Sequence, residues 1–342
     1  MRESLGLIAL ALALVAGCGI TSGAPNLDPV KLRLGYFPNV THAVPIVGIE
    51  LGLYAAALGN RATLQTTTFN AGTDAIEALF SGAIDATYIG PNPAINAFAR
   101  SEGKAIKIIG GATSGGAGLV VRDGITGPED LAGAKLASPS LGNTQDVALR
   151  AWLAAQGYAT DLEGGGDVSV MPQANGLTLD AFVAGEIDGA WAPEPWATRL
   201  VQQGGGHVLV DERDLWPDGR FVTTHLIVST AFLEAHPDVV KGLLEGHVAA
   251  IDSVNANGAE AREIVAATIQ ALTRAELPAG TLDRAWESLT FTADPIAESL
   301  TASADRAAQL GLLEPVNLDG IYDLDLLNEV LTAEGQAPIA AP

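Results

Sequence analysis

A seventeen-residue unit occurs twice in this chain, and it constrains the fold more than any other feature. Residues 78–94 read ALFSGAIDATYIGPNPA, and residues 181–197 read AFVAGEIDGAWAPEPWA. Aligned without a gap, Ala78, Gly82, Ile84, Asp85 and Ala94 match Ala181, Gly185, Ile187, Asp188 and Ala197. In each copy a helix-period apolar run stops at a glycine, the residue that best tolerates the left-handed turn closing a helix. A short strand follows, carrying Ile-Asp and an aromatic residue, Tyr88 or Trp191. A proline-rich turn then opens the next helix. The unit predicts helix, strand, loop, helix, used once in each of two α/β lobes. Ligands of open α/β sheets sit beyond the carboxyl ends of the strands. The turns 90–93 and 193–196 are therefore expected to face each other across one cleft.

Composition narrows the function. A chain of 342 residues with 48% apolar residues can build one large or two medium cores. Forty acidic against eighteen basic residues give a net charge of -22. That balance argues against nucleic acid or anionic lipid as partner of the folded body. Cys18 is the sole cysteine, which excludes an internal disulfide and a cysteine-based metal site. The five histidines lack metal-ligand spacing, and there is no phosphate loop and no Gly-x-Ser-x-Gly elbow. No metal and no cofactor is expected.

The first seventeen residues read as a secretory signal. Residues 5–15 are apolar but too short to cross a bilayer comfortably, and they end in Val15-Ala16-Gly17-Cys18. That order resembles the bacterial lipoprotein box, which implies lipidation of Cys18. Residues 18–30 then form the lipidated cysteine and a Gly/Ser/Pro-rich tether.

Beyond the tether the pattern alternates strand and helix. Strands are expected at 32–36, 63–69 and 106–112 in the first lobe, and at 135–138, 168–171 and 208–211 in the second. Thr73 is the expected N-cap of the helix running to 81. The chain is expected to leave lobe one near 119–122 and to return near 221–229. From 230 to 332 the pattern is almost wholly helical and should buttress lobe one. The expected division is lobe one at 31–119 plus 226–342, and lobe two at 120–225.

Four segments carry a family resemblance: GYFPNVTHA at 35–43, SGAIDATYIGPNPA at 81–94, SLGNTQDVALRAWL at 140–153 and PEPWATRL at 193–200. Together with the lipoprotein-like start they resemble solute-binding proteins of ABC importers, in the nitrate, sulfonate and taurine branch. The resemblance covers 32 to roughly 310. It implies an α/β, two-lobe periplasmic-binding-protein-like fold of type II, with two crossing hinge strands and a helical C-terminal part. It implies an extracytoplasmic, membrane-anchored monomer without enzymatic activity. The protein would hand a small solute to a permease and its ATPase. It also implies that Asn39, Thr41 and His42 line the cleft, with Pro91 and Asn92, Asn143, Thr144 and Gln145, and Glu194 and Trp196. Nitrate binders of this family use a cleft lysine from the returning strand. The comparable stretch here is Thr223-Thr224-His225-Leu226, without a lysine, which points away from nitrate and toward a sulfonate or related oxyanion.

The chemistry of these residues suits an anion. Free amides and the dipole at a helix N-terminus favour negative charge without a formal countercharge. Asn143, Thr144 and Gln145 offer such amides, and Asn70, Gly72 and Thr73 offer a second set. Ser114 is a further strand-end candidate, and His225 sits in the returning strand as either a ligand contact or a hinge residue. Glu194 admits two arrangements. It either caps the helix that starts near Pro195 or faces the cleft and pairs with an amine. The second would suit an aminated heterocycle such as a thiamine-pyrimidine precursor. A pyrimidine-synthase-like enzyme on the same fold is the remaining alternative, but Lys31, Lys104, Lys107, Lys135 and Lys241 all fall outside the expected cleft loops.

Overall fold

The computed structural model describes residues 29–340. The signal segment, Cys18 and nearly all of the tether lie outside the described residues. In chain order the elements are β1 (Val30–Tyr36), α1 (Ala43–Glu50), α2 (Leu53–Leu58), β2 (Ala62–Thr68), α3 (Gly72–Phe80), β3 (Ala86–Ile89), α4 (Pro91–Arg100) and β4 (Ile106–Gly115). Then come β5 (Ala117–Val121), β6 (Lys135–Ser138), α5 (Thr144–Ala155), β7 (Ser169–Pro172), α6 (Asn175–Ala184), β8 (Gly189–Pro193), α7 (Trp196–Gly204) and β9 (His207–Asp211). The chain ends with β10 (Val222–Ser229), α8 (Thr230–Ala235), α9 (Pro237–Ala256), α10 (Gly258–Thr273), α11 (Thr281–Trp286), β11 (Leu289–Phe291), α12 (Ala297–Gln309) and α13 (Asp325–Ala333).

The strands form two sheets, of order β11-β4-β10-β3-β1-β2 and β7-β6-β8-β5-β9. Within each, three strands run parallel in the same arrangement: β2-β1-β3 in one and β7-β6-β8 in the other. The repeated unit occupies the same place in both, as α3-β3-α4 and α6-β8-α7. Its two aspartates do the same work. Asp85 N donates to Arg33 O at 2.8 Å, and its carboxylate accepts from Arg33 N at 2.8 Å. Asp188 N donates to Lys135 O at 2.7 Å, and its carboxylate accepts from Lys135 N at 2.8 Å. Each repeat aspartate thus pins its strand to the middle strand of the parallel trio in its own sheet, β1 or β6. Gly82 and Gly185 both have positive φ, 71° and 79°, which explains why the unit keeps glycine at the helix end.

The chain passes between the sheets twice. Only Gly116 separates β4 from β5. Gly115 and Gly116 both have positive φ, and a Cβ on Gly116 would lie 2.1 Å from Leu289 Cδ2. The return runs through residues 212–221 in short 3-10 turns. It is anchored by buried Glu212, which accepts from Trp191 Nε1 at 2.8 Å. The expected crossing at 119–122 is instead β5, an interior strand of the second sheet, and β10 belongs to the first sheet from Val222 onward. The division expected at 119/120 and 225/226 therefore moves a few residues toward the N-terminus at both places. At the first crossing the reason is local: the bend falls on the glycine pair 115–116 inside a continuous weakly polar run, with no charged residue to mark it.

Helices α9, α10 and α13 pack with α1 and α2 on the first sheet. Within that layer Tyr54 Oη, Tyr88 Oη and His247 Nδ1 form a buried chain at 2.6 and 2.7 Å, and His247 Nε2 lies 2.8 Å from Gly111 O. Burial pulls His247 down to about 4, so its Nε2–H donates to Gly111 O while Nδ1 accepts from Tyr88. The C-terminal helices do more than buttress lobe one. Thr281 of α11 meets Gln202 of α7 at 2.6 Å, and α12 packs on α5. Among the described residues no helix is long and apolar enough to cross a membrane, and no cluster of metal-ligating side chains occurs.

Candidate functional site

A cavity of about 80 Å3 lies between the two sheets, at the carboxyl ends of β1, β2, β3, β6, β7 and β8. It is well above the roughly 10–15 Å3 that one water requires, and admits one small solute. Lobe one lines it with Phe37, Asn39, Thr41, His42, Asn70, Ala71, Gly72, Gly90, Pro93 and Thr223. Lobe two contributes Pro139, Ser140, Asn143, Thr144, Gln145, Asn175 and Pro193.

Helix starts dominate this lining. Among the described residues, those of α1, α3, α4, α5 and α6 all reach the cavity, because each helix follows directly on a strand that ends there. No side chain caps the first turns of α3 and α6, which leaves their amides free for a ligand. Helix α4 offers chiefly its dipole, since Pro91 and Pro93 have no N–H. On α5 the cap is partly spent internally: Asn143 Oδ1 accepts from Asp146 N at 3.0 Å. Asp146 itself is withdrawn from the cavity. Its carboxylate accepts from Ser138 Oγ at 2.6 Å and Arg150 Nε at 3.1 Å, both buried, and from Gly142 N at 2.9 Å.

The lining has no lysine, arginine, aspartate or glutamate among the described residues. Its one ionisable side chain, His42, is buried, and desolvation lowers its pKa to about 3. The ring is therefore neutral, and its Nδ1 has no partner inside the protein. Asn39 Oδ1 is likewise buried and unpartnered. The turn that carries both is fixed from behind, where Thr41 O accepts Thr113 Oγ1 at 2.7 Å and Thr224 Oγ1 at 3.0 Å. A bound group thus meets peptide dipoles, hydroxyls, amides and one neutral imidazole, but no charged side chain among the described residues.

The structure brings Asn39, Thr41, His42, Asn70, Gly72, Asn143, Thr144 and Gln145 together at this cavity. It places the other expected residues elsewhere. Thr73 is exposed and does not cap α3, whose N-cap is Ala71. Pro91 is the first residue of α4, and Asn92 turns to α12, donating to Ser303 O at 3.4 Å. Ser114 accepts from Phe221 N at 3.3 Å on the far side of β4. Trp196 lies under Arg199, whose guanidinium is 4.5 Å from the ring centroid. His225 Nε2 is 3.0 Å from Pro295 O, deep inside the first sheet. Glu194 spends both oxygens on Thr198, at 3.1 Å from its N and 3.0 Å from its Oγ1, which is the capping arrangement. Burial raises its pKa to about 7, against the partial offset of the Thr198 bonds and of Arg284.

Sequence reasoning missed Phe37, Ser140, Asn175 and Thr223. The rule that found Asn70 at the end of β2 would have found Asn175 at the end of β7, its counterpart in lobe two. Thr223 lies in the stretch where related nitrate binders were expected to carry a lysine.

Residues 25–270 match the NMT1-like family. The taurine-binding periplasmic protein of Escherichia coli (strain K12) is 27% identical over 199 residues, 57% of this chain and 59% of that protein. The chain therefore matches less than two thirds of that relative's length. Among solved structures, the alkanesulfonate-binding protein SsuA from Xanthomonas axonopodis pv. citri, bound to MOPS, superposes with a TM-score of 0.71 at 19% identity. That superposition covers 87% of this chain and 99% of that one. The desulfurization enzyme DSZB superposes with a TM-score of 0.65 at 18% identity, covering 89% and 99%. These structural likenesses establish the periplasmic-binding-protein fold.

Proposed function

The chain belongs to the NMT1-like family, and from that premise we propose that it is the solute-binding protein of an ABC importer. It captures a small oxyanion, an aliphatic sulfonate or taurine-like compound, between its lobes and delivers it to a permease. One observation carries this reading: helix N-termini converge on a polar cavity whose lining contains no charged side chain. Such a site stabilises an anion through amides and dipoles. It offers no carboxylate to compensate an ammonium ion, so the aminated-heterocycle reading loses the countercharge it needed once Glu194 is engaged by Thr198. Catalysis lacks a basis too. The fold is shared with a desulfurization enzyme, but the lining here has no cysteine, lysine or carboxylate to attack or to move protons.

The test is a thermal-shift and calorimetric comparison of methanesulfonate, ethanesulfonate, taurine, nitrate and a cationic amine. A ligand at a hundred times its dissociation constant stabilises the fold by about 2.7 kcal/mol. Sulfonates should shift the melting temperature and the amine should not. Stabilisation by the amine alone would refute the proposal. Cys18 lies outside the described residues, and its place in the reading is as a lipid anchor outside the cytoplasm. One acyl chain holds a protein weakly and two signals hold it firmly, so a diacylated cysteine would suffice. Cys18→Ser should move the protein from the membrane fraction to the soluble extracytoplasmic fraction. Unchanged membrane retention and processing would remove the anchor.

A further inference from the structure

Beside the polar cavity lies a larger recess of about 470 Å3 with a different character. Its wall is mainly hydrocarbon: Ile76, Ala99, Leu312 and Leu313 from lobe one and Leu141 from lobe two. Ile76 and Leu313 are continuous with the apolar core between α3, α4 and α12, which gives the recess a firm floor. Leu141 forms its other side from the loop between β6 and α5. It is 48% exposed, although its neighbours Ser140 and Asn143 both line the polar cavity. Gly142, with φ +69° and no atom near its would-be Cβ, makes the turn that holds Leu141 outward. Together with Ile76, Ala99 and the leucines at 312–313, Leu141 makes a contiguous apolar lining rather than a lone exposed side chain, and such a lining suits an apolar occupant.

The two spaces share Pro93 from lobe one and Asn143 from lobe two, so they lie side by side at the cleft. We propose that the recess receives the hydrocarbon tail of the bound oxyanion, and that the ligand is a sulfonate with an unbranched chain of several carbons. The inference rests on the oxyanion reading above and deepens it. The headgroup sits among the helix N-termini, and the tail passes between Pro93 and Asn143 onto Ile76, Ala99 and the two leucines at 312–313. The charges at the rim keep this polarity. Arg100 is held by Glu77 at 2.9 Å, and the other ionisable group there is Glu314, which repels an anionic head.

Calorimetry on the mature chain with methane-, ethane-, butane-, hexane- and octanesulfonate tests this, with every ligand kept below its micelle concentration. Affinity should rise about fourfold per methylene while the tail is being buried, then level off when the recess is full. Ala99→Phe, which fills the recess, should lower the hexanesulfonate-to-methanesulfonate affinity ratio at least tenfold. Leu141→Ser, an exposed loop change that spares the core, should lower the same ratio severalfold. Methanesulfonate binding with no gain from longer chains would overturn the tail site and leave the oxyanion reading standing. A chain-length gain untouched by both substitutions would place the tail elsewhere and overturn the inference as well. Failure of every sulfonate to bind would overturn both.

Discussion

Glu194 shows what burial does to a carboxylate whose partners are neutral. Its pKa is raised from 4.5 to about 7, first by desolvation and only partly offset by the two bonds from Thr198 and by Arg284 nearby. The folded chain therefore holds more protons than the unfolded chain between those two values, so this group's contribution to stability falls as pH rises from 4.5 through about 7. Glu194→Gln keeps an acceptor for Thr198 N and removes the titration. Chemical denaturation at pH 5 and pH 8 should show the wild type losing more stability than the variant, by about 1–3 kcal/mol. Affinity for a sulfonate should be unchanged. A fall in affinity would place Glu194 on the ligand after all. His42 gives the complementary prediction. Its neutral ring donates or accepts but carries no charge, so sulfonate affinity should stay level between pH 8 and pH 6. His42→Ala should weaken binding by about tenfold, the worth of one buried hydrogen bond. A steep strengthening toward pH 6 would mean a cationic histidine and a different electrostatic basis for the site.

At the scale of elements, the turn before α1 depends on two strands at once. Thr113 of β4 and Thr224 of β10 both donate to Thr41 O, and both strands lead to the crossings. Thr224→Val leaves Thr41 O one donor and should cost about 0.5–1.5 kcal/mol in urea unfolding. The double variant with Thr113→Val leaves a buried carbonyl unpaired and should cost more than the sum of the two single changes. Strict additivity would show that the hydroxyls do not act on a shared acceptor. This pairing also explains the limits of sequence reading. The repeat, the helix starts at 143–145 and the turn at 39–42 were legible because each is local: a glycine stop, a cap, a strand end. The directions of Asn92, Ser114 and His225 were not, because their partners, Ser303, Phe221 and Pro295, come from distant parts of the chain. Thr73 misled for a related reason. Threonine is a good N-cap by type, but α3 starts two residues earlier, capped at Ala71 with Gly72 packed against Pro93 of the next helix.

For the whole molecule, the question is whether the lobes close on the ligand, and Gly90 offers a way to ask it. Gly90 caps α4 with ordinary extended geometry, φ −71° and ψ 159°, so its own backbone would accept alanine without strain. What excludes a side chain is the other lobe: a Cβ there would lie 2.6 Å from Thr144 Oγ1 at the start of α5. The glycine is needed only when α4 and α5 meet over the cavity. Gly90→Ala should therefore penalise the closed arrangement and leave the open one untouched. Overpacking of this kind costs about 1–3 kcal/mol. Charged to closure alone, that weakens ligand binding by roughly 5- to 150-fold, while the melting temperature without ligand stays near the wild-type value. Small-angle scattering separates closure from simple crowding of the ligand. If the methyl group blocks closure, the radius of gyration at saturating ligand should remain larger than that of the saturated wild type. If it merely crowds the ligand, affinity falls but the saturated protein compacts fully. Wild-type affinity together with wild-type compaction would mean that α4 and α5 need not approach this closely, and the two-lobe clamp would have to close about some other contact.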